Sequence, residues 1–300
     1  MKRLSLVVLV FSTLSLLAGA ATAAEDHFST GSGRDGALTA AGLMRVNAYA
    51  AVASPALGAG ATTIELDDAS EFAAGDLALV VQMQDDTMLG SGAHPAGVDL
   101  TTVSAGRYEL ARITAVTGAA ITLATPLQNA FEAAHTQVVR VPEYTDVTVP
   151  IGAAIVAERW DGDKGGIVAF LATGAVHNDG FISASSAGLR GGTSLKTAPG
   201  RNNCANPDEP APDGQPRGEG IDAALWGTTG FGNAVNGGGG GVCHNSGGGG
   251  GGNGGIGGRG GRSWAGDSSR EVGGLGGDAL IFSALDRLAV GGGGGAGHGP

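Results

Sequence analysis

The sequence is poor in aromatic residues and in cysteine. Phe, Tyr and Trp make up 5% of the 300 residues, and only two cysteines are present. Glycine, by contrast, occurs 58 times and proline 11 times. This composition argues against a helical bundle, because glycine and proline weaken helices and few large side chains are available to fill a helical core.

Long hydrophobic runs are absent after the N-terminus. Residues Lys2 and Arg3 precede an apolar run, 4–17, which is followed by small residues ending at Ala23. This pattern is typical of a secretory signal peptide, predicted over 1–23, and the run is shorter than the roughly 20 residues of a membrane span. We expect an exported chain, secreted or on the bacterial cell surface or outer envelope, that does not span the membrane.

The charge balance is acidic. Lys and Arg total 17 against 28 Asp and Glu, and removal of Lys2 and Arg3 lowers the formal charge from −11 to −13. An acidic surface repels phosphate backbones, so nucleic acid is not an expected partner.

The two cysteines, Cys204 and Cys243, are expected to be oxidised in an exported chain. A disulfide between them would close a loop of about 40 residues and contribute about 4 kcal/mol on the loop-entropy model. Free or intermolecular thiols are the alternative. His244 beside Cys243 could supply half of a metal site, but no second pair has zinc-site spacing.

Two kinds of strand pattern follow a leader at 24–60, in which a short strand is expected near Val46 and Tyr49. Over 61–143, period-two alternation predicts a small antiparallel β-barrel or clip. Its strands are Thr62–Leu66, Leu77–Gln82, Tyr108–Val116, Ala120–Leu123 and Gln137–Val141. Over 144–192, shorter strands between turn residues predict β-solenoid-like rungs. These strands are Val147–Val149, Ala154–Val156, Ile167–Leu171 and Phe181–Ala184.

The C-terminal part, 193–300, combines a Pro/Gly-rich stretch with polyglycine runs, mainly 237–261 and 291–295. Glycine buries almost no apolar area, so hydrophobic packing cannot fold these runs. Two alternatives remain. Extended three-residue turns pack side by side through backbone hydrogen bonds, as in polyglycine II, or the run is a flexible insert. A strand near Ala279–Ser283 is also expected, and we expect the chain to continue beyond residue 300.

Six sequence blocks stand out along the chain. They are Gly33-Arg34-Asp35-Gly36, Phe72-Ala73-Ala74-Gly75-Asp76-Leu77, Arg107-Tyr108-Glu109-Leu110-Ala111-Arg112, Val138-Val139-Arg140-Val141-Pro142-Glu143-Tyr144, Gly188-Leu189-Arg190-Gly191-Gly192 and Asp286-Arg287-Leu288-Ala289-Val290. In these blocks the chain resembles secreted glycine-rich proteins of gliding bacteria, of the adventurous-gliding-motility type. The resemblance implies a secreted or cell-surface structural role.

A looser similarity concerns the glycine run itself. The pattern GGGGGVC followed by GGGGGGNGG is similar to the glycine-rich extracellular region of the anaplastic lymphoma kinase receptor family. In that family such runs form packed polyglycine helices. The similarity therefore favours the ordered alternative, and it implies no ligand-binding residue.

Candidate sites are weak in the sequence. Trp160-Asp161-Gly162-Asp163 could contribute to a Ca²⁺ site, but the other ligands are missing and a solvated turn is preferred. No histidine pair has metal-site spacing among His27, His94, His135, His177, His244 and His298. No carboxylate pair suited to glycosidase chemistry is singled out among Asp146, Glu158, Asp161, Asp163 and Asp179. We therefore expect no catalytic, cofactor or metal site.

The sequence thus predicts an all-β structural or adhesive protein without enzymatic activity, for which the resemblance implies a connection with gliding motility. Its expected partners are polysaccharides or proteins of the cell surface or extracellular matrix. The alternative is a carbohydrate-binding or polysaccharide-degrading protein on the same β-solenoid scaffold.

Overall fold

The computed structural model describes residues 28–86, 92, 97–195, 214–242, 245–263, 272–283 and 287–299. These residues form short β-strands and three 3-10 helices, Leu100–Thr102, Ala133–His135 and Ala223–Leu225, and none of these helices is long and apolar enough to cross a membrane. The all-β prediction is confirmed, while the predicted signal peptide lies outside the described residues. The strands are β1 (Leu38–Thr39), β2 (Leu43–Met44), β3 (Tyr49–Ala51), β4 (Thr63–Glu65), β5 (Leu77–Gln82), β6 (Val98–Asp99), β7 (Tyr108–Thr117), β8 (Ala120–Leu123), β9 (Thr136–Val141), β10 (Glu143–Tyr144), β11 (Val147–Val149), β12 (Ala154–Val156), β13 (Leu171–Ala172), β14 (Val176–Asn178), β15 (Phe181–Ser183) and β16 (Leu280–Ile281).

Six strands form one antiparallel sheet in the order β3-β9-β5-β7-β8-β4. Its two edge strands approach each other just beyond their ends, where Val52 and Leu66 form a bridge. The Ala53 amide donates to the Glu65 carbonyl there, at 2.8 Å. The sheet therefore curls into a half-barrel, in agreement with the predicted small barrel or clip.

Strand β5 is buried on both faces, which explains its continuous apolar run. Ala78 and Val80 pack into the core inside the curled sheet. Leu77, Leu79 and Val81 face the opposite way, into a second core that includes Trp160, Ile221 and Leu280. The sheet thus serves as a wall against which the rest of the chain packs.

Parallel strand pairs form a β-solenoid coil of three rungs. The first rung contains β1 and β2, the second β10 to β12 and the third β13 to β15. Glu143 pairs with Leu171, Val147 with Val176 and Ala154 with Phe181, so one rung is 27 to 29 residues long. The antiparallel sheet is inserted between the first and second rungs. No pattern in the sequence indicated that the leader contributes a rung.

The second rung supplies the centre of the coil. Val147, Val149 and Ile155 are fully buried between their counterparts in the neighbouring rungs. Burial of such side chains contributes about 1.5–3 kcal/mol each. Two-residue strands such as β1 are therefore held by stacking on this rung and not by their own length.

Ion pairs join the coil to the sheet. Arg112 on β7 pairs with the buried Glu143 of the second rung. Arg140 on β9 pairs with Asp35 of the first rung and with the buried Asp76, its Nε lying 3.2 Å from the Asp76 carboxylate. These five residues belong to sequence blocks that carry the resemblance noted above, so those blocks meet in space.

The polyglycine region is an ordered bundle of extended segments. Along 236–242, hydrogen-bond partners change with a period of three. Gly238 and Gly241 donate to segment 288–298, at 2.8 and 2.9 Å, while Gly239 donates to segment 272–278 at 2.8 Å. This alternation among neighbours is the pattern of polyglycine II. Of the two alternatives drawn from the sequence, the structure has the ordered one.

Close backbone packing explains why the bundle requires glycine. A Cβ at Gly239 would lie 1.9 Å from the Phe231 carbonyl oxygen, and one at Gly249 would lie 2.0 Å from that of Leu275. Neither glycine has a positive φ. The requirement therefore comes from contacts between segments and not from a backbone conformation that only glycine adopts.

Two predicted strands are much shorter than expected. Of Ala279–Ser283 only Leu280–Ile281 is a strand. Ile167–Leu171 was expected to be a rung strand, but only Leu171–Ala172 is one. The preceding backbone is bonded to side chains instead, because Asn47 pairs with both the N–H and the C=O of Ala169 and the Tyr49 hydroxyl donates to the Ile167 carbonyl at 2.6 Å. Side chains therefore satisfy the backbone groups of this segment in place of a neighbouring strand.

Candidate functional site: a polar cleft between the coil and the sheet

A cleft of about 340 Å³ lies where the first rung passes into the sheet. Three parts of the chain form it: the connection from β2 to β3, the loop between β4 and β5, and the loop after β12. Its lining is mostly polar, and the residues are Arg45, Asn47, Tyr49, Glu71, Glu158, Asp161, Lys164 and Gly165.

Two of these side chains are fixed by backbone contacts. Asn47 Nδ2 donates to the carbonyls of Arg140 at 2.9 Å and Ala169 at 2.6 Å, which ties the loop to β9. The Tyr49 hydroxyl also accepts a hydrogen bond from the Glu158 amide at 3.4 Å. Burial raises the pKa of Tyr49, so its hydroxyl remains a donor at neutral pH.

The charged groups of the cleft lie nearer to solvent. Arg45 Nε lies 2.6 Å from Glu158 Oε2, and both side chains are about half exposed. The Lys164 ammonium donates a hydrogen bond to the Asp67 carboxylate, and this bond raises the pKa of Lys164. Glu71 is exposed at the rim. The cleft therefore places positively charged hydrogen-bond donors and negatively charged acceptors around the ring of Tyr49.

The Trp160-Asp161-Gly162-Asp163 turn forms one side of this region. Asp161 Oδ1 accepts the amides of Asp163 and Lys164, each at 2.9 Å, while Trp160 is buried. Burial alone would raise the pKa of Asp161, but these amides and the charge of Lys164 lower it. The carboxylate stays ionised and caps its own turn, as in the preferred interpretation of this motif.

A second cluster lies at the other end of β5. The ligand atoms of Asp86, Glu132 and His135 lie within 4.8 Å of one another, and His135 Nε2 is 2.9 Å from Asp86 Oδ1. Burial, followed by the charges of Asp85 and Asp86, raises the pKa of Glu132. One imidazole and two carboxylates could ligate a divalent cation such as Zn²⁺. Sequence spacing did not indicate this cluster, because Asp86 and His135 are 49 positions apart.

The structure separates the other residues singled out in the sequence. Of the rung acids, Glu158 and Asp161 reach the cleft, whereas Asp146 Oδ1 accepts the Ala175 amide at 3.0 Å. His177 is exposed on β14, and the buried His298 has its Nδ1 2.9 Å from the Gly299 carbonyl. Asp179 is exposed in the turn between β14 and β15. Five further residues lie outside the described part of the chain: Cys204, Cys243, His27, His94 and His244.

No protein-family model matches the chain, and no curated protein is significantly similar to it in sequence. Three phage tailspikes are among the solved structures that it resembles. Gp49 from Pseudomonas phage LKA1 has a TM-score of 0.23 and 14% identity over 41% of this chain and 27% of its own. Gp54 of Acinetobacter baumannii bacteriophage AP22, in complex with A. baumannii capsular saccharide, has a TM-score of 0.26 and 12% identity over 48% of this chain and 23% of its own. Gp61 of Pseudomonas phage phi297 has a TM-score of 0.24 and 16% identity over 52% of this chain and 25% of its own.

The chain spans about a quarter of the length of each of these tailspikes. The prediction of a chain without enzymatic activity rests on absent sequence motifs, and the tailspike neighbours contradict it. We therefore withdraw that prediction. The chain is an all-β protein in which a solenoid coil is interrupted by an antiparallel sheet.

Proposed function

We propose that this chain is an extracellular polysaccharide-binding protein and that the cleft at the junction of coil and sheet holds the saccharide. The observation that carries the proposal is the composition of the cleft. Arg45, Glu71, Glu158 and Lys164 place hydrogen-bonding groups of both charges around Tyr49. Sugars present many hydroxyl groups that donate and accept, and binding sites commonly combine an apolar ring with a few placed polar groups.

The cleft is also held firmly enough to recognise a defined ligand. Asn47 and Tyr49 are hydrogen-bonded to the backbone of three chain segments. Gln137 adds two bonds to Gly165, accepting its amide at 2.8 Å and donating to its carbonyl at 2.7 Å. Preorganisation of this kind reduces the entropy lost on binding.

The setting of this function is inferred from the sequence. A signal-like N-terminus supports export, and the resemblance to glycine-rich proteins of gliding bacteria supports display on a cell surface. Bacterial surface polysaccharides, neutral as well as acidic, are the ligand class to examine, since surface proteins meet them directly.

The experiment is a binding assay of the mature chain against a panel of neutral and acidic bacterial polysaccharides. Arg45→Gln and Glu71→Gln should each weaken binding of the recognised polysaccharide by about tenfold, which corresponds to one lost charged hydrogen bond. Arg159→Gln is the matched control, because Arg159 is exposed in the loop after β12, next to the cleft residue Glu158, but does not line the cleft.

The same incubations are assayed for new reducing ends, which reports whether bound chains are cut. Binding that survives both cleft substitutions would place the saccharide elsewhere. A full panel without binding to the unmodified chain would contradict the proposed function itself.

A further inference from the structure

The last glycine segment, 288–298, fills only part of its hydrogen-bonding capacity. The amides of Gly292, Gly295 and His298, which are three residues apart, donate to segment 246–252 at 2.8–2.9 Å. The amides of Gly293 and Ala296 donate to segment 216–219, both at 2.9 Å. Two of the three directions available to a polyglycine II strand are therefore occupied by neighbouring segments of the same bundle.

The third direction of donation has no partner within the described part of the chain, although the carbonyls of Gly291 and Gly294 accept the amides of Leu189 at 3.0 Å and Gly192 at 2.9 Å. Gly291, Gly294 and Gly297 donate no hydrogen bond within the described part of the chain. A Cβ at Gly291 would meet nothing closer than 4.0 Å, and one at Gly294 nothing closer than 3.4 Å, whereas one at Gly293 would lie 1.8 Å from a carbonyl oxygen. This side of the segment therefore faces open space with donors repeating every three residues, about 9 Å apart.

The open space is a groove of about 550 Å³ along 291–294. Segment 188–191 forms one wall, and Asn253 lies in the lining. The buried Oδ1 of Asn253 accepts no hydrogen bond from the described residues. The lining contains no charged side chain and no aromatic ring, so backbone groups determine what it can bind. Such a groove fits an extended chain without side chains, which brings carbonyls at the same three-residue repeat.

The opposite margin of the bundle provides a chain with one face of this kind, since the exposed side chains of Ile256 and Arg259 belong to a different face of the three-residue turn. In segment 254–261, Gly257 and Gly260 donate inward to segment 272–278, both at 2.8 Å. Gly255, Gly258 and Gly261, again every third residue, have no described atom within 4 Å of an added Cβ. This margin is exposed and bare of side chains at the repeat of the groove.

We propose that segment 254–261 of a second copy of this chain docks in the groove along 291–297 and extends the polyglycine bundle between molecules. The groove and the docking segment are different surfaces, so each molecule can use both at once. A contact of this heterologous kind does not close on itself unless the rotation fits a ring, and it generates open chains of subunits.

The test is sedimentation velocity of the mature chain over a range of concentrations. The unmodified protein should form oligomers that grow with concentration. Gly294→Val fills the groove and Gly258→Val blocks the docking segment, so each variant alone should be monomeric with an unchanged unfolding midpoint. Gly58→Val, at an open glycine in the sheet region, is the control and should associate like the unmodified chain.

An equimolar mixture of Gly294→Val and Gly258→Val should form dimers and nothing larger, because one intact groove meets one intact segment. If Gly294→Val lowers the unfolding midpoint, Gly291→Val replaces it. A monomeric unmodified chain, or association that neither variant reduces, would overturn the proposal. Loss of polysaccharide binding in Gly294→Val, with no self-association of the unmodified chain, would assign the groove to a saccharide and would overturn it equally.

Discussion

Single charged residues connect the coil with the sheet. Glu143 is buried in the second rung, and its two carboxylate oxygens receive the Arg112 guanidinium and, at 2.8 Å, the Ser32 amide. One side chain thus binds the sheet, the second rung and the start of the first rung. Removing one member of such a pair leaves the other charge buried without compensation.

Glu143→Gln should lower the free energy of unfolding by about 3 kcal/mol, because it leaves Arg112 without its carboxylate. Glu65→Gln, at an exposed position on β4, is the control and should change it by less than about 0.5 kcal/mol. Urea denaturation followed by circular dichroism measures both. Equal midpoints for the two variants would show that the ion pair adds nothing to stability.

Glu132 should make stability depend on pH. Its pKa is raised in the folded chain, first by burial and then by Asp85 and Asp86, so the folded state binds this proton more tightly than the unfolded state. Its stabilising contribution is present below the ordinary carboxyl pKa and is lost as pH rises through the raised value.

Glu132→Gln should therefore stabilise the protein at neutral pH, by less than about 1 kcal/mol because the site is partly exposed. The gain should disappear in acid, and thermal unfolding across pH measures it. A gain that is constant with pH would argue against titration of this group.

Among the elements, the polyglycine bundle depends on backbone contact alone. Gly249→Ala should destabilise the C-terminal half strongly, because its Cβ would lie 2.0 Å from the Leu275 carbonyl oxygen. We expect a loss of about 2–4 kcal/mol, similar to overpacking in a dense core. Gly261→Ala is the matched control. It has open space, and it should be neutral or stabilising by up to about 1 kcal/mol through reduced freedom of the unfolded chain.

Hydrogen exchange over 237–261 provides the measurement for this pair. Amides that exchange at random-coil rates in the unmodified chain, or equal effects of the two substitutions, would be inconsistent with the packed bundle.

The same elements show how far the sequence alone could be interpreted. Strands β5 and β8 begin and end where the apolar patterns placed them, because each pattern follows from burial within a few neighbouring residues. Strand β1 could not be predicted from the sequence, because two residues show no periodicity and its partner strand lies beyond the inserted sheet. The predicted strand from Ile167 did not form over most of its length, because the side chains of Asn47 and Tyr49 bond to its backbone groups.

The candidate sites were less accessible to sequence reasoning. Glu158 and Asp161 were singled out, but their association with Arg45 and Tyr49 depends on the return of the chain after the sheet. His135 was considered an isolated histidine, and only the fold brings it to Asp86 and Glu132. The polyglycine run could be assigned two alternatives, because glycine has no side-chain pattern from which to choose between a bundle and a tether.

At the scale of the whole molecule, sheet and coil should unfold together, since the sheet interrupts the coil and shares ion pairs with it. Ile121→Ala, in the core of the sheet, should cost about 2–5 kcal/mol and should reduce the hydrogen-exchange protection of β12 in the coil to the same extent. Ile151→Ala is the control, because Ile151 is 87% exposed in a turn of the coil. Unchanged protection of β12 in Ile121→Ala would indicate two independent units.

The insertion of the sheet also determines the order in which the molecule can be assembled. Leu38 pairs with Val147, so the first rung is synthesised long before its partner exists, and the entire sheet lies between them. Closing a disordered loop of that length costs more entropy than closing a short one, while a folded sheet brings its two ends together in advance. Hairpin contacts such as β7 with β8 are local and can form early, but the rung contacts are distant in sequence and form slowly. The sheet therefore serves as the template on which the coil is completed, and the first rung can pair with the second only after the sheet has folded.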